Sequence, residues 1–189
     1  MKGEIIAVAA PSGAGKTTIV KRILAQFPKL IFSISATTRP KRETETNGIE
    51  YNFLSEDEFK KKIENNEFIE WEKFYDYYYG TFKSVIEETI NFGNTILLEV
   101  DVKGALSIKK LYPDAHLIYI SPPSYQELVN RLRDRNTESE GDFKKRIERA
   151  KMELSLKEKF DYIIVNENLD NAVIETSALV KKILKGDIT

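Results

Sequence analysis

Between Ala10 and Thr17 the chain reads A-P-S-G-A-G-K-T, a spacing of small residues, lysine and hydroxyl suited to cradling a chain of phosphates. Gly13 and Gly15 can take backbone angles closed to other residues, so successive amides can turn inward toward anionic oxygens. Ser12 and Ala14 complete the loop and Lys16 supplies a point charge for the outer phosphates. The Thr17 hydroxyl can ligate magnesium, and Thr18 can add another hydrogen bond. Ala10 stands where the usual G-x-x-x-x-G-K-[ST] pattern begins with glycine, a mild departure that touches only the start of the loop. The bland alternative is a turn that merely joins strand to helix, and the correctly placed lysine and threonine argue against it. Further along, Glu99 and Asp101 end the run L-L-E-V-D. Two residues apart, they share one side of a strand, at the end where ligands bind in open α/β sheets, and are placed to hold magnesium water.

Such a loop needs a strand before it and a helix after it. Short apolar runs recur at Ile5 to Ala10, Thr95 to Val100, His116 to Ile120 and Tyr162 to Val165, separated by segments of helical period. That alternation predicts a parallel sheet wrapped by helices on both faces. Ser55 with Glu58 and Ser124 with Glu127 have capping-box spacing, and Gly93 sits where a helix can stop. Two stretches interrupt the alternation. Residues 33–81, with strand-like Tyr51 to Leu54 and Glu67 to Phe74, read as an inserted, mostly antiparallel lobe. Residues 130–160 read as a helical basic flap, with ten basic against seven acidic residues.

The 189 residues, 41% of them hydrophobic, suffice for one core with small subdomains. A net charge of -1 gives no reason to expect a nucleic-acid or membrane-surface partner, so cationic groups must act locally. The absence of cysteine excludes disulfides and thiolate zinc sites and fits a reducing cytoplasm. No apolar run reaches the roughly 18 residues of a membrane span, and no signal peptide is read at the amino terminus.

Downstream of the phosphate loop lie S-A-T-T-R-P-K-R at Ser35 to Arg42, then Glu45, Asn47-Gly48, Tyr51, Phe68-Ile69-Glu70-Trp71 and Tyr78-Tyr79-Gly80-Thr81. Together these ordered motifs resemble the guanylate kinases, from about Ile5 to Lys185. The resemblance implies an α/β P-loop kinase core (1–32, 82–129 and 161–189), an inserted mixed α+β GMP-binding lobe (33–81) and a helical lid (130–160). It implies ATP:GMP phosphotransfer with ATP and magnesium, in cytoplasmic purine nucleotide metabolism, by a monomer or a homo-oligomer. It assigns GMP to Ser35, Arg39, Arg42, Glu45, Tyr51, Glu70, Tyr79, Gly80, Thr81 and Asp101, and lets Asp101 orient Arg39.

The residue types suit those roles. Arg39 and Arg42 offer planar forks for a phosphate, joined by the hydroxyls of Tyr51 and Tyr79. The Glu70 carboxylate can accept side by side from the ring imino and exocyclic amino groups of guanine, a pair that adenine lacks. Ser35 and Thr81 can serve the guanine oxygen. Taken singly, Arg39 and Arg42 could instead pair with Glu43 or Glu45, Glu70 could be a solvated strand residue, and the tyrosines could pack a sheet face. By resemblance Thr17 and Glu99 hold magnesium, Glu99 through water, and R-L-R-D-R-N-T-E-S forms the lid. Arg135 and Arg146 then reach the transferring phosphoryl group, Arg131 assists at ATP, and Asn166 lies beside adenine. Lys16, Arg39, Arg42 and Asp101 join those two arginines in the catalytic set. Arg133 and Arg149 read as helix surface laced with Glu148 and Glu153, and His116 and Trp71 as structural residues. Thr44, Lys103 and Asn136 depart from the family pattern. The rival readings are a catalytically silent phosphopeptide-binding module of the same fold and a kinase for another nucleoside monophosphate.

Overall fold

In the computed structural model, which describes residues 3–74, 76–134 and 140–187, the first strand, β1 (Ile5–Ala9), is buried at every position. In chain order there follow α1 (Lys16–Gln26), β2 (Ile31–Ser33), β3 (Ala36–Thr37), β4 (Asn52–Phe53), α2 (Glu56–Glu64), β5 (Phe68–Phe74) and β6 (Tyr77–Phe82). Then come α3 (Lys83–Asn91), β7 (Ile96–Val100), α4 (Val102–Leu111), β8 (His116–Ser121), α5 (Tyr125–Asp134), α6 (Glu140–Ser155), β9 (Tyr162–Val165) and α7 (Leu169–Lys185).

Five strands form a parallel sheet in the order β2-β7-β1-β8-β9. Since alternate side chains of a strand face opposite ways, Ile5, Ala7 and Ala9 join Ile86, Val102 and Ile108 of α3 and α4 on one face. Ile6 and Val8 meet Ile19 and Ile23 of α1 and Val173 and Val180 of α7 on the other. Burial on both sides is why the three inner strands, β7, β1 and β8, read as nearly unbroken apolar runs. β2 lay outside the strands legible in the sequence, being three residues long with Ile31 exposed at the sheet edge.

A second sheet, in the order β4-β3-β6-β5, is antiparallel except where β3 pairs with β4. It is built on aromatic packing: Phe59 of α2 stacks on Phe68 with ring centroids 4.4 Å apart and lies 5.3 Å from Tyr78. The capping box before α2 forms in full, the Ser55 hydroxyl accepting from the Glu58 amide while the Glu58 carboxylate accepts from the Ser55 amide. At α5 only half of it forms. The Glu127 amide donates to Ser124, and the Glu127 side chain turns instead to Arg131. No helix among the described residues is long and apolar enough to cross a membrane.

Candidate active site

The phosphate loop joins β1 to α1. Gly13 and Gly15 stand at φ 88° and 90°, in the left-handed region that favours glycine. A Cβ on Gly15 would also meet Nδ2 of Asn166 at 2.4 Å. That amide, nearly fully buried, donates to the carbonyl of Ala14 at 2.7 Å and so braces the loop from behind. Lys16 Nζ donates to the carbonyl of Val100 at 2.7 Å and lies 3.7 Å from Glu99 Oε1. The Thr17 hydroxyl donates to the same Glu99 oxygen at 2.5 Å. The loop is thereby registered on the carboxyl end of β7. Thr17 and Glu99 present adjacent hard oxygen donors, and the described residues hold no cluster of three or more His, Cys, Asp or Glu side chains able to bind a metal. That donor set fits a magnesium ion completing its shell with water and substrate phosphates.

A cleft of about 320 Å³ is lined by the loop residues Ser12 to Thr18 together with Ser35, Tyr51, Glu70, Tyr79, Gly80, Glu99 and Asp101. Strand β5 carries Glu70 and β6 carries Thr81, paired in register, and the Thr81 hydroxyl donates to Glu70 Oε1 at 2.5 Å. Gly104 of α4 backs the other oxygen so closely that a Cβ there would meet it at 2.7 Å. Burial pushes the Glu70 carboxyl up to about 7 against the Thr81 hydrogen bond, with Asp101 and Glu72 adding to the rise. The Tyr51 hydroxyl, enclosed and facing Glu99, is pushed up to about 12 and stays a neutral donor. Gly80 is needed for packing as well, since a Cβ there would strike Phe59 and Phe68 within 3.0 Å.

Several sequence readings change. Arg39, read as oriented by Asp101, is gripped by Glu45 instead through bonds of 2.8 and 3.0 Å. The hydrogen bond from Arg39 holds the Glu45 carboxyl below its usual value, and the Arg42 amide adds to it at 2.8 Å. Glu45 therefore fixes a cation and braces the Arg39 to Glu45 loop. The Arg42 side chain is exposed. Asp101 caps α4, accepting from the Gly104 amide at 2.7 Å.

Arg149, read as helix surface, lines the cleft. It is joined there by Glu72 and Phe74, which the motif reading passed over, and by Glu153, read as its companion on the helix surface. Period two along β5 places Glu72 with Glu70, and the i,i+4 spacing on α6 pairs Glu153 with Arg149. Both signals lie in the sequence but do not name a site. Trp71, read as a packing residue, is 47% exposed. It borders a second hollow of about 400 Å³ behind Glu70, together with Asp101 and Lys103. Asn166 has its side chain spent on Ala14, while Arg131 donates through both terminal nitrogens to the Asn166 carbonyl at 3.2 Å. Arg131, Arg146, Asn166, Arg39, Arg42, Glu45 and Thr81 are not part of the cleft lining. Arg135 lies outside the described residues.

Known proteins resemble the chain in sequence and in fold. The sequence model of the family described as guanylate kinase matches residues 2–183. The guanylate kinase of Thermotoga maritima is 46% identical over 96% of this chain and 87% of its own length. That of Chlorobium chlorochromatii is 46% identical over 94% of each chain. The crystal structure of guanylate kinase from Anaplasma phagocytophilum superposes with a TM-score of 0.78 at 28% identity, covering 95% of this chain and 85% of that one.

Proposed function

The chain belongs to the guanylate kinase family, and from that premise we propose that it moves the terminal phosphoryl group of ATP onto GMP or dGMP. The products are ADP and the guanosine diphosphate, and the role is in cytoplasmic purine nucleotide metabolism. One observation carries the assignment: the phosphate loop and Glu70, whose Oε1 takes the Thr81 hydroxyl from behind the lining, border one and the same cleft. A donor phosphate chain and a guanine-bearing acceptor can therefore meet end to end.

In this reading the loop amides and Lys16 hold the ATP phosphates, with Thr18 supporting them, and Asn166 acts chiefly by bracing the loop. Thr17 and Glu99, the latter through water, would hold magnesium, which would supply positive charge to neutralise the phosphates. The second sheet is the acceptor lobe. Glu70 accepts from the imino and amino groups of guanine, Ser35 and Thr81 serve its oxygen, and Asp101 borders its amino group. Tyr51 and Tyr79, with Arg39 and Arg42, grip the acceptor phosphate, Arg39 being held ready by Glu45. Arg131, Arg135 and Arg146 belong to a lid, 130–160, that neutralises charge as it develops on the transferring group. Transfer needs no protein nucleophile, because alignment and electrostatic stabilisation supply the catalysis.

A coupled assay with ATP and magnesium, comparing GMP, dGMP, AMP, CMP and UMP, tests this. The expected preference for guanine over adenine is roughly 10⁴ fold in kcat/KM, because AMP leaves buried acceptors unpaired. Preference for another base overturns the guanine assignment, and no turnover of any acceptor overturns the enzyme.

A further inference from the structure

Nothing in the machinery above uses Arg149, yet it is among the most heavily engaged side chains of the cleft. From α6 its Nη2 reaches Glu72 Oε2 of β5 at 2.5 Å and Asp101 Oδ2, at the head of α4, at 3.5 Å. Its Nε donates to Glu153 Oε1, one turn along α6, at 2.8 Å. The guanidinium carbon stacks over the Phe74 ring, 4.2 Å from its centroid. We propose that Arg149 is a positioning residue of the transfer, clasping α6 to the acceptor sheet through Glu72 and steadying Asp101, so that the GMP side of the cleft is shaped before substrate enters.

Three features argue for this. The first is topological: one side chain ties three elements that belong to the small sheet, the parallel-sheet core and the helix of the basic segment. Among the described residues, no other cation lining the cleft makes such a set of contacts, Lys16 being committed to β7. The second is electrostatic. Three carboxylates converge on one cation in a cleft that must admit anionic substrates, and the arginine side chain is only 16% exposed and that of Glu153 only 4%. An exposed pair contributes little, but removing the single cation from an enclosed cluster leaves charges that repel one another. Burial already raises the carboxyls of Glu72 and Glu153, and Asp101 raises that of Glu72 further. The third is geometric. Asp101 is held from both sides, Oδ1 by the Gly104 amide at 2.7 Å and Oδ2 by Arg149. Loss of Arg149 frees that second side and lets Glu72 and Asp101 push apart, along the wall that carries Glu70. The phosphate loop keeps separate braces, Asn166 on Ala14 and Lys16 on Val100. The damage should therefore be one-sided.

This inference rests on the assignment of GMP to the wall bearing Glu70, and the test separates the two. Steady-state kinetics of the wild type, Arg149→Met, Glu72→Ala and the double variant are measured with each substrate varied in turn. Arg149→Met is expected to raise KM for GMP about tenfold while KM for ATP moves less than about twofold, and Glu72→Ala to raise KM for GMP about threefold. The double variant should be no worse than Arg149→Met alone, because both changes break one clasp. A KM for GMP that stays put, both KM values rising together, additive effects, or a fall in kcat alone would each overturn the role, the last being what a merely structural arginine gives. Should Arg149→Met fail to fold, Glu72→Ala decides by the same split of KM values. A wild type that turns over no GMP removes the proposed function itself, whereas a wild type active on GMP with insensitive variants removes only the clasp.

Discussion

Replacing Glu70 by glutamine should make the protein more stable at alkaline pH and nearly useless toward GMP. The side chain sits between β5 and α4, its Oε1 taking the Thr81 hydroxyl and its Oε2 lying against Gly104. In the folded chain the carboxyl holds its proton up to about 7, whereas its ordinary value is 4.5. Between those values the folded state binds more protons than the unfolded one, so this group makes stability fall as pH rises. The cost of ionising it in place is about 3 kcal/mol at pH 8 and under about 1 kcal/mol at pH 5, at 1.36 kcal/mol per pKa unit. Glutamine keeps the shape and an oxygen for Thr81 but has no charge to bury. In urea titrations with unchanged m values, Glu70→Gln should gain about 3 kcal/mol over wild type at pH 8 and under about 1 kcal/mol at pH 5. Its kcat/KM for GMP should drop by roughly 10² to 10⁴ fold, since an amide presents a donor where guanine also has one. Equal stability of the two proteins at pH 8, or a gain identical at pH 5 and pH 8, would refute the reasoning about burial. In the wild type, KM for GMP should rise as pH falls from 8 to 6, because the proton must leave before the base can be read.

Other substitutions probe the neighbouring contacts. In a helix, alanine for glycine ordinarily adds up to about 1 kcal/mol. At Gly104→Ala the added Cβ would stand 2.7 Å from Glu70 Oε2, and KM for GMP should rise at least about tenfold, as steady-state kinetics will read. Gly15→Ala must adopt φ 90° and displace the Asn166 amide. Thermal and urea melts should show a loss of about 2 kcal/mol, and KM for ATP should rise more than KM for GMP. Lys16→Ala loses its bond to Val100 and its place beside Glu99. Turnover should fall by about 10² fold or more with the circular dichroism spectrum unchanged, and near-normal turnover would refute the loop's part in transfer.

The phosphate loop was legible because it is local. Its glycines, lysine and threonine lie within five residues, and the strand before is set by short-range apolar pattern, so the sequence alone placed β1 and the loop within a residue or two and called for a helix after them. The same holds for the largely buried strands β7 and β8, for the apolar edge strand β9 and for the capping box of α2, where each signal lies inside a few residues. The motifs also named Ser35, Tyr51, Glu70 and Tyr79, which line one cleft with the loop. Partner choice was not legible. Arg39 had Glu43, Glu45 and Asp101 open to it, and only the path of its own loop brought Glu45 within 3.0 Å. Asn166 reads as a strand-end residue until β9 is laid beside β8 and its amide is found under Ala14. Arg149 carries the sharpest contrast: a helix-surface charge by its spacing, it becomes the hub of three carboxylates because β5 and α4 arrive from 77 and 48 residues away in the chain. Residue type and local spacing determine what a side chain can do, since those follow from covalent chemistry and backbone period. Which of several equally charged partners it meets depends on how the sheets and helices pack, and that is decided only in three dimensions.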